Sequence, residues 1–137
     1  MNISGILQRE GNRLLLPFDL NQQQFSILFE IAKTGEVQQK NMVNRLLLEK
    51  AHVSKVVKKL NKMGLIEVNF KSEDKRSSWL LVTEKGKQVI DDCSTVFKQW
   101  NIDWYDHYNT EELTQILDSV EKLQKLFKGK ISKPNSI

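Results

Sequence analysis

The sequence predicts a mainly α-helical chain with one small β-hairpin, and three observations predict it. Apolar residues recur at helical spacing along most of the 137 residues. Two strand-like runs, Leu65 to Phe70 and Trp79 to Val82, flank one polar, turn-forming stretch, KSEDKRSS, from Lys71 to Ser78. Just before them stands EKAHVSKVVKKLNKM, Glu49 to Met63, whose apolar residues form one stripe and whose lysines lie on the other sides.

From the N-terminus, Ile3, Ile6, Leu7 and Leu14 to Leu16 make a weak helical pattern interrupted by Gly5 and Gly11. Pro17 ends it, because the residue before a proline is pushed out of helical geometry. The stretch reads as a short helix or an irregular arm. Asn21 is placed as an N-cap. Phe25, Leu28, Phe29 and Ala32, widened by Ile27 and Ile31, then form the stripe of a buried helix from Gln22 to Lys33, which ends before Gly35. A second helical pattern runs from Val37 to Leu46, with Val37, Met42, Val43 and Leu46 inward and Gln38, Gln39 and Lys40 facing solvent.

Leu47 to Glu49 separates that helix from the lysine-rich one, in which Val53, Val56, Val57, Leu60 and Met63 share a face. Lys50, Lys55, Lys58, Lys59 and Lys62 occupy the remaining surface with His52 and Ser54, and no carboxylate follows Glu49 until Glu67. Periodicity alone makes this a solvated amphipathic face. Its neighbours sharpen the reading, since two short helices joined by a short turn, the second one basic, make a helix-turn-helix. Gly64 fits the position after a helix end where positive φ is needed. The two strands and the charged loop between them then form a wing whose tip can reach the DNA backbone or minor groove.

Thr83, before Glu84, Lys85 and Gly86, is placed as the N-cap of a long helix carrying Val89, Ile90, Cys93, Val96, Phe97, Trp100, Ile102, Trp104, Tyr105 and Tyr108. So broad an apolar band predicts burial against a partner as well as its own domain. Asn109 and Glu112 match a capping box with Tyr108 and Leu113 as its staple, and Leu113, Ile116, Leu117, Val120, Leu123 and Phe127 carry a last helix to Gly129. The expected organisation is a short N-terminal helix or arm over 1–20 that contributes to dimerisation and a winged helix-turn-helix over 21–86. C-terminal dimerisation helices over 87–128 and a flexible tail over 129–137 complete it.

Length fits one domain. The single cysteine, Cys93, excludes an intramolecular disulfide framework and suits a reducing cytosol. No apolar run approaches a membrane span, and Met1 to Asn12 lacks the apolar core of a secretion signal, so a soluble cytoplasmic protein is expected. Charge is unevenly spread. Residues 1–49 are neutral, 50–87 carry +6, 88–121 carry −7 and the rest +5, within a chain of net +4. A basic middle beside an acidic segment points to a polyanion-binding face.

With these residues in place, the segment VQQKNMVNRLLLEKAHVSKVVKKLNKMGLIEV, continuing through NFKSEDKRSSWLLVTEKG, resembles the MarR family of bacterial transcription regulators. The resemblance rests on the basic V-S-K-V-V-K-K-L helix, the Gly64-Leu65-Ile66 exit, Asp74-Lys75-Arg76 in the wing and Leu81-Val82-Thr83-Glu84-Lys85-Gly86. Two positions depart from the pattern. Leu47 stands where relatives often have a small residue, and Glu49 where many open the helix with Ser or Thr. The resemblance implies a homodimer on a pseudo-palindromic operator of double-stranded DNA. Doubling one helix and one wing about a two-fold axis reads half-sites about 34 Å apart.

Lys50, His52, Ser54 and Lys55 lie nearest the helix start, which faces base edges, while Lys58, Lys59 and Lys62 are placed for phosphates. Gln38, Gln39 and Lys40 are candidate phosphate clamps. In the wing, Lys71, Asp74, Lys75 and Arg76 are the candidate contacts. The resemblance makes Arg76 a minor-groove arginine, oriented by Asp74. It also implies two regulatory options. Trp100, Trp104, Tyr105 and Tyr108 are candidates to line a pocket for a small aromatic ligand, against their plainer reading as core or interface. Cys93 is a candidate redox switch, although its place between Ile90 and Val96 favours a small buried hydrophobe.

No cofactor is implied. The chain lacks a phosphate-binding glycine loop, a metal-ligand spacing and a nucleophile and base on one element, which argues against an enzyme. Two classes remain. One is a dimeric DNA-binding repressor or activator, gated by a small ligand or an oxidant. The other is a winged-helix interaction module that docks a partner through its C-terminal helices without operator binding.

Overall fold

The computed structural model describes residues 3–71 and 78–131. The chain divides into two compact units, Met1–Phe97 and Lys98–Ile137. In the first, α1 (Ile3–Leu15) runs unbroken through Gly5 and Gly11, so the helical of the two N-terminal readings holds. Each interior glycine costs about 1 kcal/mol relative to alanine. Docking on the next helix offsets this: Leu15 is buried, and Asn12 Oδ1 accepts from the Gln22 backbone N–H at 2.8 Å.

A 3₁₀ turn, Leu16–Phe18, carries Pro17 near its start and ends at Asp19, which is left-handed at φ 57°. α2 (Gln22–Thr34) then opens on the expected cap. Asn21 Oδ1 accepts from Gln24 N–H at 2.8 Å, and Gln24 Oε1 accepts from Asn21 N–H at 3.0 Å. Its buried face is Ile27, Leu28 and Ile31, whereas Phe29 and Ala32, expected inward, are exposed. Phe25 and Phe29 lie on a second flank, where Phe25 meets Phe97 at 5.5 Å between ring centroids. The helix has more apolar residues than one face holds, and the sheet and α4 take the isoleucine side.

Val37 and Gln38, read as the start of a helix, form a short strand, β1 (Val37–Gln38), and α3 covers only Gln39–Leu46. β1 pairs antiparallel with β3 (Ser78–Val82) in the register Val37↔Leu80, so Val37 is buried by a partner distant in sequence that periodicity does not reveal. The sheet has the order β1-β3-β2, with β2 (Ile66–Phe70) on the other side of β3 and the hairpin register running from Ile66↔Val82 to Phe70↔Ser78. Between α3 and α4 (Lys50–Lys62), Leu47 takes left-handed geometry at φ 53°. α4 buries Val53, Val56, Val57 and Leu60, the expected stripe.

The segments that flank the hairpin are joined to each other. Gly64 has φ 76°, as a helix exit requires, and its carbonyl accepts from Thr83 Oγ1 at 2.6 Å. The same hydroxyl caps α5 (Glu84–Tyr105) by accepting from Gly86 N–H at 3.0 Å. Thr83 N–H donates to Leu65 O at 3.0 Å, and Lys85 Nζ to Met63 O at 2.8 Å. Gly86 is there for closeness: a Cβ on it would collide with the Leu65 carbonyl. Ile90 and Cys93 continue α5 into the same core, so this unit reaches Phe97, past the domain edge drawn at residue 86.

The second unit holds the rest of α5 and α6 (Thr110–Ile131). Asn109 Oδ1 accepts from Glu112 N–H at 2.8 Å, the forward bond of the expected capping box. α6 continues through Gly129 rather than ending there, since glycine stops a helix only where the chain turns to positive φ. Ile116, Leu117, Val120, Leu123, Leu126 and Phe127 leave an exposed apolar stripe along it. Among the described residues no helix is long and apolar enough to cross a membrane.

Candidate nucleic-acid interface

The orientation of α4 decides which cations face outward. Successive residues turn by roughly 100°, which brings Lys55, Lys58 and Lys62 within about 60° of one another, opposite the buried valines. All three are exposed, and none has a hydrogen bond or ion pair among the described residues. Ser54 and Asn61 lie on the flank that faces the hairpin. There a groove of about 400 Å³ is lined by Ser54, Lys58, Asn61 and Lys62 on one side and by Val68 and Phe70 on the other. Gln39 and Ser78 close its end, with Ser78 Oγ 3.1 Å from Gln39 Oε1. Lys50 is exposed and lines a neighbouring groove of about 410 Å³ with Lys40 and Asn44.

Four expected contacts are placed otherwise. Lys59 lies on the flank away from the hairpin, where its Nζ donates to Asp19 O at 2.7 Å and Gln24 Oε1 at 3.0 Å. His52, one heptad earlier on that flank, is half-buried, and its Nε2 is shielded from solvent with no hydrogen-bond partner among the described residues. Neither residue belongs to the outward face. Lys71 pairs with Glu36 Oε2 at 2.6 Å and lies over the Trp79 ring, 4.3 Å from its centroid. Gln38 is half-buried in β1. Of the proposed clamp, Gln39 is engaged at the wing root, and Lys40 is exposed at the start of α3 with no hydrogen bond or ion pair among the described residues. Asp74, Lys75 and Arg76 lie outside the described residues.

Glu49 is the N-cap of α4 without a side-chain capping bond, so its carboxylate stays at the exposed helix entry. Asn61 and Phe70 line the groove and escaped sequence reasoning; Phe70 is 56% exposed, unusual for so large a ring, and ends a strand beside the basic helix.

The two regulatory options rest on other surroundings. Cys93 is fully buried, and burial, with Asp92 adding to it, pushes its thiol up to about 11, which suppresses the thiolate that oxidants attack. This burial favours the packing role over the redox one. In the second unit Trp100, Trp104, Tyr105 and Tyr108 pack on one another. Trp104 is 6.3 Å from Trp100, 4.4 Å from Tyr105 and 6.4 Å from Tyr108, and its Nε1 donates to Asn101 Oδ1 at 3.1 Å. A groove of about 620 Å³ opens elsewhere, between Ile3 and Leu7 of α1, the first turns of α2, and Leu46 and Leu48. Among the described residues no group of three His, Cys, Asp or Glu side chains is placed to hold a metal ion.

A short helix, a tight left-handed turn, a basic helix and an antiparallel hairpin packed beside it define a winged helix-turn-helix domain. Residues 20–78 match the family model described as MarR family. That match covers most of the winged helix-turn-helix and a little under half of the chain, which is similar to members of the family over those residues. Among characterised relatives it is similar to the HTH-type transcriptional regulator BilQ of Clostridioides difficile, at 27% identity over 89 residues, 65% of this chain and 60% of that protein. The matched stretch thus spans about three fifths of that relative's length. Among solved structures, the MarR protein from Peptoclostridium difficile shares the fold at TM-score 0.83 and 22% identity, covering 93% of this chain and 84% of that one. The S. aureus MepR–DNA complex does so at TM-score 0.78 and 18% identity, covering 91% and 92%.

Proposed function

We propose that the chain is a DNA-binding transcription regulator that acts as a homodimer on a pseudo-palindromic operator, and is not an enzyme. The observation that carries this is the outward face of α4: Lys55, Lys58 and Lys62 stand together, without hydrogen bonds or ion pairs among the described residues, beside a groove closed by the hairpin. A relative solved as a DNA complex shares the fold. Lysine binds as a point charge, so these groups position the helix on phosphates. Ser54, Asn61 and the hairpin are left to read base edges and groove shape. Arg76 remains the proposed minor-groove contact, with Asp74 orienting it.

The exposed apolar stripe of α6 supports dimerisation, since Ile116, Leu117, Val120, Leu123 and Phe127 at helical spacing would otherwise face water. Two copies place two recognition helices about one DNA turn apart, roughly 34 Å. Titration of promoter-length duplexes at 50 and 200 mM salt tests the proposal. Neutralising some six to ten phosphates predicts an affinity loss of roughly a thousandfold or more between those salts. Absence of binding at low salt, or binding indifferent to salt, overturns it and favours the interaction-module reading.

A further inference from the structure

Lys59 sits in the last turn of the recognition helix, yet its ammonium is turned back into the protein. It donates to the Asp19 carbonyl at 2.7 Å and to Gln24 Oε1 at 3.0 Å, with the Asp19 carboxylate 3.9 Å away. Both partners are held in place by their own surroundings. Asp19 is in left-handed geometry at φ 57°, which aims its carbonyl, and Gln24 Oε1 also accepts from Asn21 N–H at 3.0 Å in the cap of α2. The lysine side chain is only 35% exposed. One cation thus joins the recognition helix to the corner between α1 and α2, on the flank opposite the groove with the hairpin.

We infer that Lys59 is a positioning residue, a latch that sets the angle at which α4 presents Ser54 and Asn61 to the base edges. The inference rests on the DNA-binding reading above, and it separates this lysine from its neighbours, which hold phosphates directly. A charge-assisted bond to a backbone carbonyl is short and directional, so it fixes orientation in a way that apolar packing of the valine stripe does not. Methionine in its place keeps the stem and loses the bonds.

The test uses the full chain and two duplexes of equal length and composition, one selected by the wild-type protein from a random-sequence library and one scrambled. A latch predicts that Lys59→Met lowers affinity for the selected duplex by about tenfold more than for the scrambled one, with the salt slope unchanged, as expected when base-edge contacts lose alignment. Equal weakening on both duplexes with a slope reduced by about 2, one phosphate in each half-site, makes Lys59 a phosphate contact and overturns the inference. Equal weakening with no slope change and a lowered Tm makes it merely structural and also overturns it. The latch is read independently of DNA by a double-mutant cycle of Lys59→Met with Gln24→Leu in urea unfolding, where a coupling of about fivefold in the unfolding constant is expected. Additive effects in that cycle overturn the latch whether or not the wild-type chain binds DNA. Loss of wild-type binding to both duplexes with the coupling intact overturns the DNA-binding role and leaves the latch as a fold contact only.

Discussion

Replacing Lys55, Lys58 and Lys62 together with alanine leaves the buried stripe of α4 untouched and removes the three cations that cluster on its outward face. Alanine is the best helix former, so the helix itself is retained. Each phosphate neutralised contributes about 0.9 to the slope of log K against log salt. Three lysines in each of two copies therefore predict a slope shallower by about 5, together with a loss of affinity that is similar on selected and scrambled duplexes. Fluorescence anisotropy of a labelled duplex across four salt concentrations measures both. Circular dichroism checks that the variant is folded. A slope that stays within one unit of the wild type refutes the reasoning, because the cations that look free would then not be meeting phosphates.

Gly86→Ala sets a Cβ against the Leu65 carbonyl and dislocates the Thr83 hydroxyl from its two partners, so urea unfolding is expected to show a loss of about 3 kcal/mol; a loss below about 0.5 kcal/mol contradicts the stitch between α4 and α5. Leu47→Gly relieves a left-handed leucine, and thermal unfolding should show no loss or a gain of up to about 1 kcal/mol. His52→Leu removes a buried nitrogen without a partner among the described residues and is expected to raise stability by about 1 kcal/mol while leaving the salt slope unchanged; a fall in slope returns His52 to the DNA-facing set. Cys93 has a thiol held up to about 11 from 9.0, so the unfolded chain releases its proton first as pH rises. Its contribution to stability is complete below about pH 9 and is lost as pH rises toward 11, and native-state alkylation at pH 8 should be much slower than in urea.

Where local periodicity and capping chemistry decide an element, the sequence was enough to read it. The valine stripe of α4, the Asn21 cap, Gly64 at the helix exit and the Thr83 cap follow from neighbours within a turn or two. The exceptions depend on residues far apart in sequence. Val37 and Gln38 look helical by spacing and become a strand because β3 is there to pair with them. Gly5, Gly11 and Gly129 look like breaks but lie inside helices, since a glycine interrupts only where the backbone must turn. The same distinction governs the site. Lys55, Lys58 and Lys62 could be placed by angle alone, whereas Lys59 and Lys71 look equivalent to them in sequence and differ only through Asp19, Gln24 and Glu36. Phe70 reaches the groove through the hairpin's packing against α4, which no local pattern encodes, whereas Asn61 shares a flank with Ser54, one heptad earlier.

The central claim is that the lysine face of α4 enters the major groove twice per site. Placing a cysteine-tethered iron chelate at Lys55 in a Cys93→Ala background and mapping strand cleavage on the selected duplex tests it directly. The account predicts two clusters of cuts about 10 base pairs apart, related by the operator's two-fold axis, and far weaker cutting from a chelate at Lys59. A single cluster, cutting without phase, or stronger cutting from position 59 than from position 55 would contradict it.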